Sequence, residues 1–246
     1  MSINITLGKY SLKDSIVHKL NPVFKILSLI IIIVSIFFID SYIDLIMLSS
    51  YILLTIIYSD INIKLYLKNI YSIKIFLLLI FVIDLIFFTN INKIIFDLCK
   101  LIFIILYSSA LTYTTAMTEI TYGIEKILRP LNRIIPVNDI AMMITLTLRY
   151  IPTLTIEADR IIKAQTIRGI NFNSRNIKEK ITNVGSILIP MIVISLKKSE
   201  QTAEIMDTRL YNYGKSRTNY ILNKWRYLDT FLLILNILIL IIVIFY

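Results

Sequence analysis

The sequence predicts an all-α, polytopic membrane protein with about five transmembrane helices, supplemented by amphipathic and long cytoplasmic helices. Three observations predict it. Of 246 residues, 57% are hydrophobic and the mean hydropathy is +0.77, well above an ordinary soluble domain. Only 5 Gly and 5 Pro are present, too few turn residues for a barrel or a sandwich. Long apolar runs free of both leave the helix as the way to satisfy every backbone group in lipid.

Taken in order, residues 1–20 are polar and lack an apolar core, so no secretory signal is read there. The first membrane helix is expected to act as the insertion signal. Asp14-Ser15-Ile16-Val17-His18-Lys19-Leu20-Asn21-Pro22 precedes the first lipid-length run, residues 23–39. Pro22 stops any earlier helix and suits the first turn of the next. Asp40 and Asp44 flank a turn without Lys or Arg, expected on the extracytoplasmic side, and residues 43–58 return, somewhat short for a span. The connection holding Asp60, Lys64 and Lys68 is expected to be cytoplasmic. Residues 70–88 cross outward, and a turn at Thr89-Asn90-Ile91-Asn92 sends residues 94–117 back.

The next stretch, residues 123–133, places Ile124, Ile127, Leu128 and Leu131 on one side and ends between Pro130 and Pro136. It reads as a helix lying along the membrane surface. Two longer helices follow. Residues 140–156 are interrupted by Arg149 and Pro152, and the apolar run 184–196 is about two-thirds of a span. Were both to cross, Lys163, Arg168, Arg175, Lys178 and Lys180 would lie outside, against the positive-inside bias. Keeping both inside gives five spans, with the N-terminus cytoplasmic, the last span at residues 228–246 and the C-terminus extracytoplasmic. The expected organisation is an N-terminal membrane bundle (1–118), a cytoplasmic helical region (119–227) and a C-terminal transmembrane helix (228–246).

Charge supports that division. Residues 119–227 carry 17 Lys and Arg against 9 Asp and Glu, the excess expected of cytoplasmic loops rather than of nucleic-acid binding. In the first long helix Ile140, Met143, Ile144, Thr147, Ile151, Leu154, Ala158, Ile161 and Gln165 recur at helical spacing. Asp139 is placed to cap its start. Pro152 in this helix and Pro190 in the next each remove a hydrogen bond and are expected to bend them.

Chemistry-bearing residues are few. The single Cys99 excludes an internal disulfide and a cysteine metal cluster, and the single His18 excludes a multi-histidine site. His18 in a polar flank is assigned no chemistry. Asp84, Asp97 and Lys100 lie at or near membrane depth. Asp97 and Lys100, three apart on one helix face, are expected to neutralise each other. No catalytic or metal site is assigned, and no G-x-x-x-x-G-K-[ST] phosphate loop is present.

The informative residues are two arginines 41 positions apart at the ends of the long helices. The first closes Ala164-Gln165-Thr166-Ile167-Arg168-Gly169 and the second closes Ala203-Glu204-Ile205-Met206-Asp207-Thr208-Arg209-Leu210. An arginine there faces the negative end of the helix dipole, a structural role, or offers a rigid fork of donors to a partner. With Leu146-Thr147-Leu148-Arg149-Tyr150-Ile151-Pro152-Thr153-Leu154 upstream, the pair resembles the transmembrane T component of energy-coupling factor transporters, the cobalt-transport Q-like family. His18-Lys19-Leu20-Asn21-Pro22, Thr114-Thr115 and Arg129-Pro130-Leu131 extend the resemblance over nearly the whole chain.

That resemblance implies a non-catalytic coupling subunit of an importer for vitamins or transition-metal ions. Its partners would be two cytoplasmic ATPases, which bind the ATP, and a small membrane subunit that binds the substrate. Two Ala-Arg-Gly signatures in the family correspond here to Arg168 with Gly169, and to Arg209. Ala164, Gln165, Ala203 and Glu204 accompany them on the same coupling segments. Ile167 and Thr208 stand where alanines are expected, and Leu210 replaces the second glycine, so the second signature is degenerate. A membrane enzyme acting on lipid would need a nucleophile or metal constellation that the residues do not supply. A self-sufficient secondary transporter would show repeats and interrupted helices, and neither is legible.

Overall fold

The computed structural model describes residues 10–11, 13, 15–87, 90–170, 172, 177–211 and 225–245. Arg175, Asp14, Thr89 and most of the basic loop before the last helix lie outside the described residues. Every regular element among them is helical. They fall into two compact units, one within Gly8–Leu128 and Asn219–Tyr246, the other within Arg129–Thr218.

Among the described residues, the first unit holds seven helices. Helix α1 (Pro22–Phe37) starts where the Asn21 side chain accepts the Val23 N–H at 2.9 Å, with Pro22 in the first turn. Helix α2 (Tyr42–Ser59) is capped by Ser41, which accepts from Ile43 at 3.2 Å. Helices α3 (Ile63–Ser72) and α4 (Lys74–Ile86) follow, then α5 (Ile91–Thr114) and α6 (Met117–Leu128). The last helix of the chain, Tyr227–Phe245, returns to this unit and is named α9 below.

Hydrogen bonds between distant residues fix which helix ends share a side. Lys13 Nζ donates to the Asp60 carbonyl at 2.7 Å, and Ser11 N–H donates to Tyr113 O at 3.0 Å. Asn21 N–H donates to Asp229 Oδ1 at 3.0 Å. The starts of α1 and α9 and the ends of α2 and α5 therefore lie together. Lys100 Nζ, near the start of α5, reaches Phe37 O at the end of α1, 3.4 Å away. This is an up-and-down bundle in which α1 and α9 run one way and α2 and α5 the other.

Its core is a set of β-branched, leucine and tyrosine side chains from those four helices and the turn after α1. Ile32, Ile36, Ile39, Leu48, Ile52, Tyr107, Ile239 and Val243 pack as one cluster. In lipid such packing works through van der Waals contact and small residues rather than through water exclusion. Ser28 and Ser35 supply the small residues of α1 and turn their hydroxyls onto its own Lys25 and Ile31 carbonyls. Helix α6 approaches α1 at Gly123, where a Cβ would stand 2.6 Å from Ile26 Cδ1 and 3.3 Å from the Pro22 carbonyl. Lys25 is buried there, donating to Thr114 O at 2.9 Å and His18 O at 3.2 Å.

The second unit holds a 3₁₀ turn (Arg129–Arg133) and two long helices, α7 (Val137–Ile167) and α8 (Ile177–Thr208). Both run on through their internal prolines, Pro152 and Pro190.

The structure corrects several expectations. Residues 70–88 are not one straight span: α3 and α4 meet at Ile73 with a 52° bend. The bend falls where the polar stripe of Lys64, Lys68 and Asn69 gives way to the unbroken apolar run after Lys74. The surface helix expected at 123–133 is α6, displaced towards the N-terminus, and its last residues form the 3₁₀ turn at Pro130, whose ring opposes an α-helical continuation. Asp139 does not cap α7. The helix begins two residues earlier, and Asn132 Oδ1 accepts the Val137 N–H at 3.1 Å instead. Asp97 and Lys100 form no ion pair among the described residues, because Lys100 turns to the Phe37 carbonyl. Ile140 and Met143, the first residues of the helically spaced set in α7, are exposed.

Among the described residues, four helical segments are long and apolar enough to cross a membrane: Tyr42–Ser59, Ile91–Thr114, Ile181–Thr208 and Tyr227–Phe245. The bent α3–α4 pair, counted as one, makes five. Helix α1 is apolar but has only 16 residues, about 24 Å of rise. The segment within α8 was not expected among them, since the apolar run alone is short. The continuous helix carries it to sufficient length.

Candidate functional site: two arginine-bearing helix caps

Helix α7 ends in a left-handed turn. Gly169 has φ +90° and donates its N–H to Thr166 O at 3.0 Å, and Ile170 N–H reaches Gln165 O at 3.1 Å. This pair of bonds is the Schellman arrangement, with the glycine just past the C-cap. The C-cap residue is Arg168, whose N–H closes on Ala164 O at 3.2 Å.

Helix α8 ends the same way with a different residue in the turn. Leu210 has φ 56° and donates to Asp207 O at 2.9 Å, while Tyr211 N–H reaches Met206 O at 2.9 Å. Arg209 closes on Ile205 O at 3.2 Å. Arg168 and Arg209 thus hold the same position in the same motif. The degenerate signature forms the cap regardless, because a leucine can enter the left-handed region at a cost of about 1–2 kcal/mol.

What each cap shows to a partner is also matched. Arg168 and Arg209 are exposed, as are Ala164, Ala203, Glu204 and Gly169, while Gln165 is half-buried. Beside each arginine stands a bare aliphatic side chain, Ile167 (88% exposed) or Leu210 (89% exposed). A guanidinium fork next to an uncovered apolar residue suits an interface that pairs the one and buries the other. Leu210, which stands where a second glycine is expected, matches Ile167 in exposure. The aliphatic residue precedes the arginine at the first cap and follows it at the second, and an arginine flanked by an aliphatic residue at each helix end was the available signal.

Two side-chain contacts set how α7 and α8 run. Tyr150 Oη and Thr202 Oγ1 lie 2.5 Å apart, with Lys198 Nζ 5.8 Å from the Tyr150 ring. Gln165 Nε2 donates to Ser186 O at 3.4 Å. Moving 15 residues forward on α7, from Tyr150 to Gln165, therefore moves the partner 16 residues back on α8, from Thr202 to Ser186. The helices are antiparallel. Arg168 falls opposite the start of α8, and Arg209 projects beyond the tyrosine contact towards the start of α7. About 26 residues of α8, or roughly 40 Å of helix path at about 1.5 Å per residue, separate the two caps. This register also explains why Ile140 and Met143 are bare: α8 ends before it reaches them.

The residues placed near membrane depth form no comparable constellation. Asp97 and Lys100 line an open depression with Asp40, Asn90 and Lys93. Among the described residues there is no group of three or more His, Cys, Asp or Glu able to hold a metal.

Comparison with known proteins identifies relatives over most of the chain. The cobalt transport protein family matches residues 13–220. The chain is similar to the energy-coupling factor transporter transmembrane protein of Listeria innocua, 31% identical over 95% of both chains. It is also similar to the proteins of that name from Clostridium kluyveri, 34% identical over 87% of this chain and 86% of the relative, and from Brevibacillus brevis, 34% identical over 91% of both. With helices long and apolar enough for a bilayer and a match over most of its length, the chain belongs to the cobalt transport protein family, the transmembrane T components of energy-coupling factor transporters.

Proposed function

We propose that this T component is itself non-catalytic and couples two cytoplasmic ATPase subunits to a substrate-binding membrane subunit. The carrying observation is the pair of arginine caps with the same hydrogen-bond pattern at opposite ends of an antiparallel helix pair. Caps roughly 40 Å apart along the helix path are too widely spaced for one small contact patch. They suit two copies of one docking groove, each pairing a guanidinium and burying Ile167 or Leu210. ATP is bound and hydrolysed by those partners, whose movement shifts α7 and α8.

In this reading α7 and α8 stay on the cytoplasmic side although part of α8 is apolar enough to cross. Lys197, Lys198, Glu200 and Glu204 sit in its C-terminal half, and burying them in hydrocarbon would cost about 2.5–3.5 kcal/mol each. The N-terminus is cytoplasmic and the C-terminus extracytoplasmic, which supplies the five spans α1, α2, α3–α4, α5 and α9. The membrane subunit docks on the apolar surface of this bundle, where α4 has no buried residue. The cargo is a vitamin or a transition-metal ion selected by that subunit.

The test is co-purification of the chain and its Arg168→Glu, Arg209→Glu and doubly substituted variants from native membranes in mild detergent. Two ATPase chains and a small hydrophobic subunit are expected with the parent, each single variant losing ATPase and the double variant losing nearly all. Undiminished ATPase recovery with the double variant sinks the coupling reading.

A further inference from the structure

Pro190 has no N–H, so the carbonyl four residues earlier, that of Ser186, is left without its intrahelical donor. The Ser186 side chain does not help: its hydroxyl donates to Asn183 O at 2.6 Å. The donor that reaches the Ser186 carbonyl is Gln165 Nε2, from the other helix, at 3.4 Å. Gln165 is at the same time a member of the first arginine cap, its own carbonyl accepting Ile170 N–H at 3.1 Å. One residue thus bonds the cap that carries Arg168 to the proline site of α8. The corresponding position in the second cap is Met206, which has no donor to offer. The two ends are therefore held differently.

We propose that Gln165 is a positioning residue. It holds the Arg168-bearing end of α7 in register on α8 by supplying the hydrogen bond that Pro190 removes. Its importance for transport rests on the coupling reading above, but the tie itself does not. A carbonyl deprived of its donor is a stronger attractor for a side-chain amide than one already bonded within its helix. The amide and the proline accordingly depend on each other. Removing the proline returns the Ser186 carbonyl to its own helix and makes the glutamine dispensable.

The experiment uses the full chain in lipid nanodiscs with Cys99→Ser and spin labels at Thr166→Cys and Val184→Cys, two exposed positions near the tie. Pulsed dipolar spectroscopy reads the distance distribution in four backgrounds: parent, Gln165→Met, Pro190→Ala and both. Gln165→Met is expected to widen and shift the distribution in the parent and to leave it unchanged in the Pro190→Ala background. An unchanged parent distribution, or equal effects in both backgrounds, overturns the proposal. Should Pro190→Ala itself broaden the distribution, thermal midpoints of the same four proteins carry the cycle. Non-additivity supports the tie and additivity overturns it. ATPase capture by Gln165→Met supplies the remaining distinction. Capture retained while the helix ends loosen is the expected result, whereas lost capture with an unmoved distribution makes Gln165 a partner contact instead. Capture retained by Arg168→Glu defeats the coupling reading and leaves the positioning result standing.

Discussion

Leu210 repeats at the end of α8 the left-handed turn that Gly169 makes at the end of α7, at φ 56° against +90°. The hydrogen-bond pairs behind the two turns match residue for residue. A side chain in that conformation is strained, and a glycine is not. Leu210→Gly is therefore expected to tighten the second cap by about 0.5–1 kcal/mol once the greater freedom of glycine in the unfolded chain is allowed for. It also strips away the exposed apolar group. The expected outcome is a small rise in thermal midpoint combined with weaker ATPase capture. A gain in both would mean that the leucine contributes nothing to docking.

Gly169 gives the converse case. Nothing stands within 4 Å of where its Cβ would be, so Gly169→Ala meets no steric obstacle and its cost is the backbone alone, about 1 kcal/mol. Differential scanning fluorimetry of the purified chain checks this. A loss several times larger would point to a packing partner for this turn.

Arg168→Lys and Arg209→Lys keep the charge and remove the planar fork. If the arginines pair bidentately, each lysine variant is expected to weaken ATPase capture about ten- to a hundredfold, corresponding to the loss of one charge-assisted hydrogen bond of about 1.5–3 kcal/mol. A titrated pull-down measures it. Parent-like affinity would reduce the arginines to point charges.

Much of this was legible in the sequence, and what was not has identifiable causes. The helical membrane class followed from composition and long apolar runs, and the arginines stood out by their place after periodic stretches. Helix starts were misplaced where capping comes from outside the expected pattern, as with Asn132 serving α7 in place of Asp139. The bend at Ile73 has no proline or glycine to announce it. The register of α7 on α8 depends on Tyr150 meeting Thr202 and Gln165 meeting Ser186, a pairing that periodicity along either helix does not encode. Gly123 and Asp229 acquire their meaning only when α6 and α9 are set against the start of α1.

Gly123 is expected to discriminate by size. Gly123→Ala gains helix propensity of about 1 kcal/mol and is opposed by contact with Ile26 Cδ1, the flexible end of a side chain, and with the Pro22 carbonyl. The two nearly cancel. Gly123→Leu has no such balance and should destabilise the bundle by about 1–3 kcal/mol, with partial rescue by Ile26→Ala. Thermal midpoints in detergent test this. A tolerated leucine would mean that α6 is free to move away from α1.

Asp229 joins the beginning and the end of the membrane unit. It is fully buried, and its two carboxylate oxygens divide their work: Oδ1 accepts Asn21 N–H at 3.0 Å and Oδ2 accepts Arg226 N–H at 2.7 Å. The second bond caps α9 and the first ties it to the residue that caps α1. Asp229→Ala leaves two backbone donors unsatisfied, at a cost of about 1–3 kcal/mol each. Asp229→Asn retains one acceptor oxygen and so keeps one of the two bonds. The expected order of thermal midpoint is parent, then Asp229→Asn, then Asp229→Ala, with protease sensitivity rising near Asn21 as the tie is lost. Equal midpoints for asparagine and alanine would show that both bonds are needed together, and an unchanged alanine variant would show that water satisfies these donors in the membrane-bound protein.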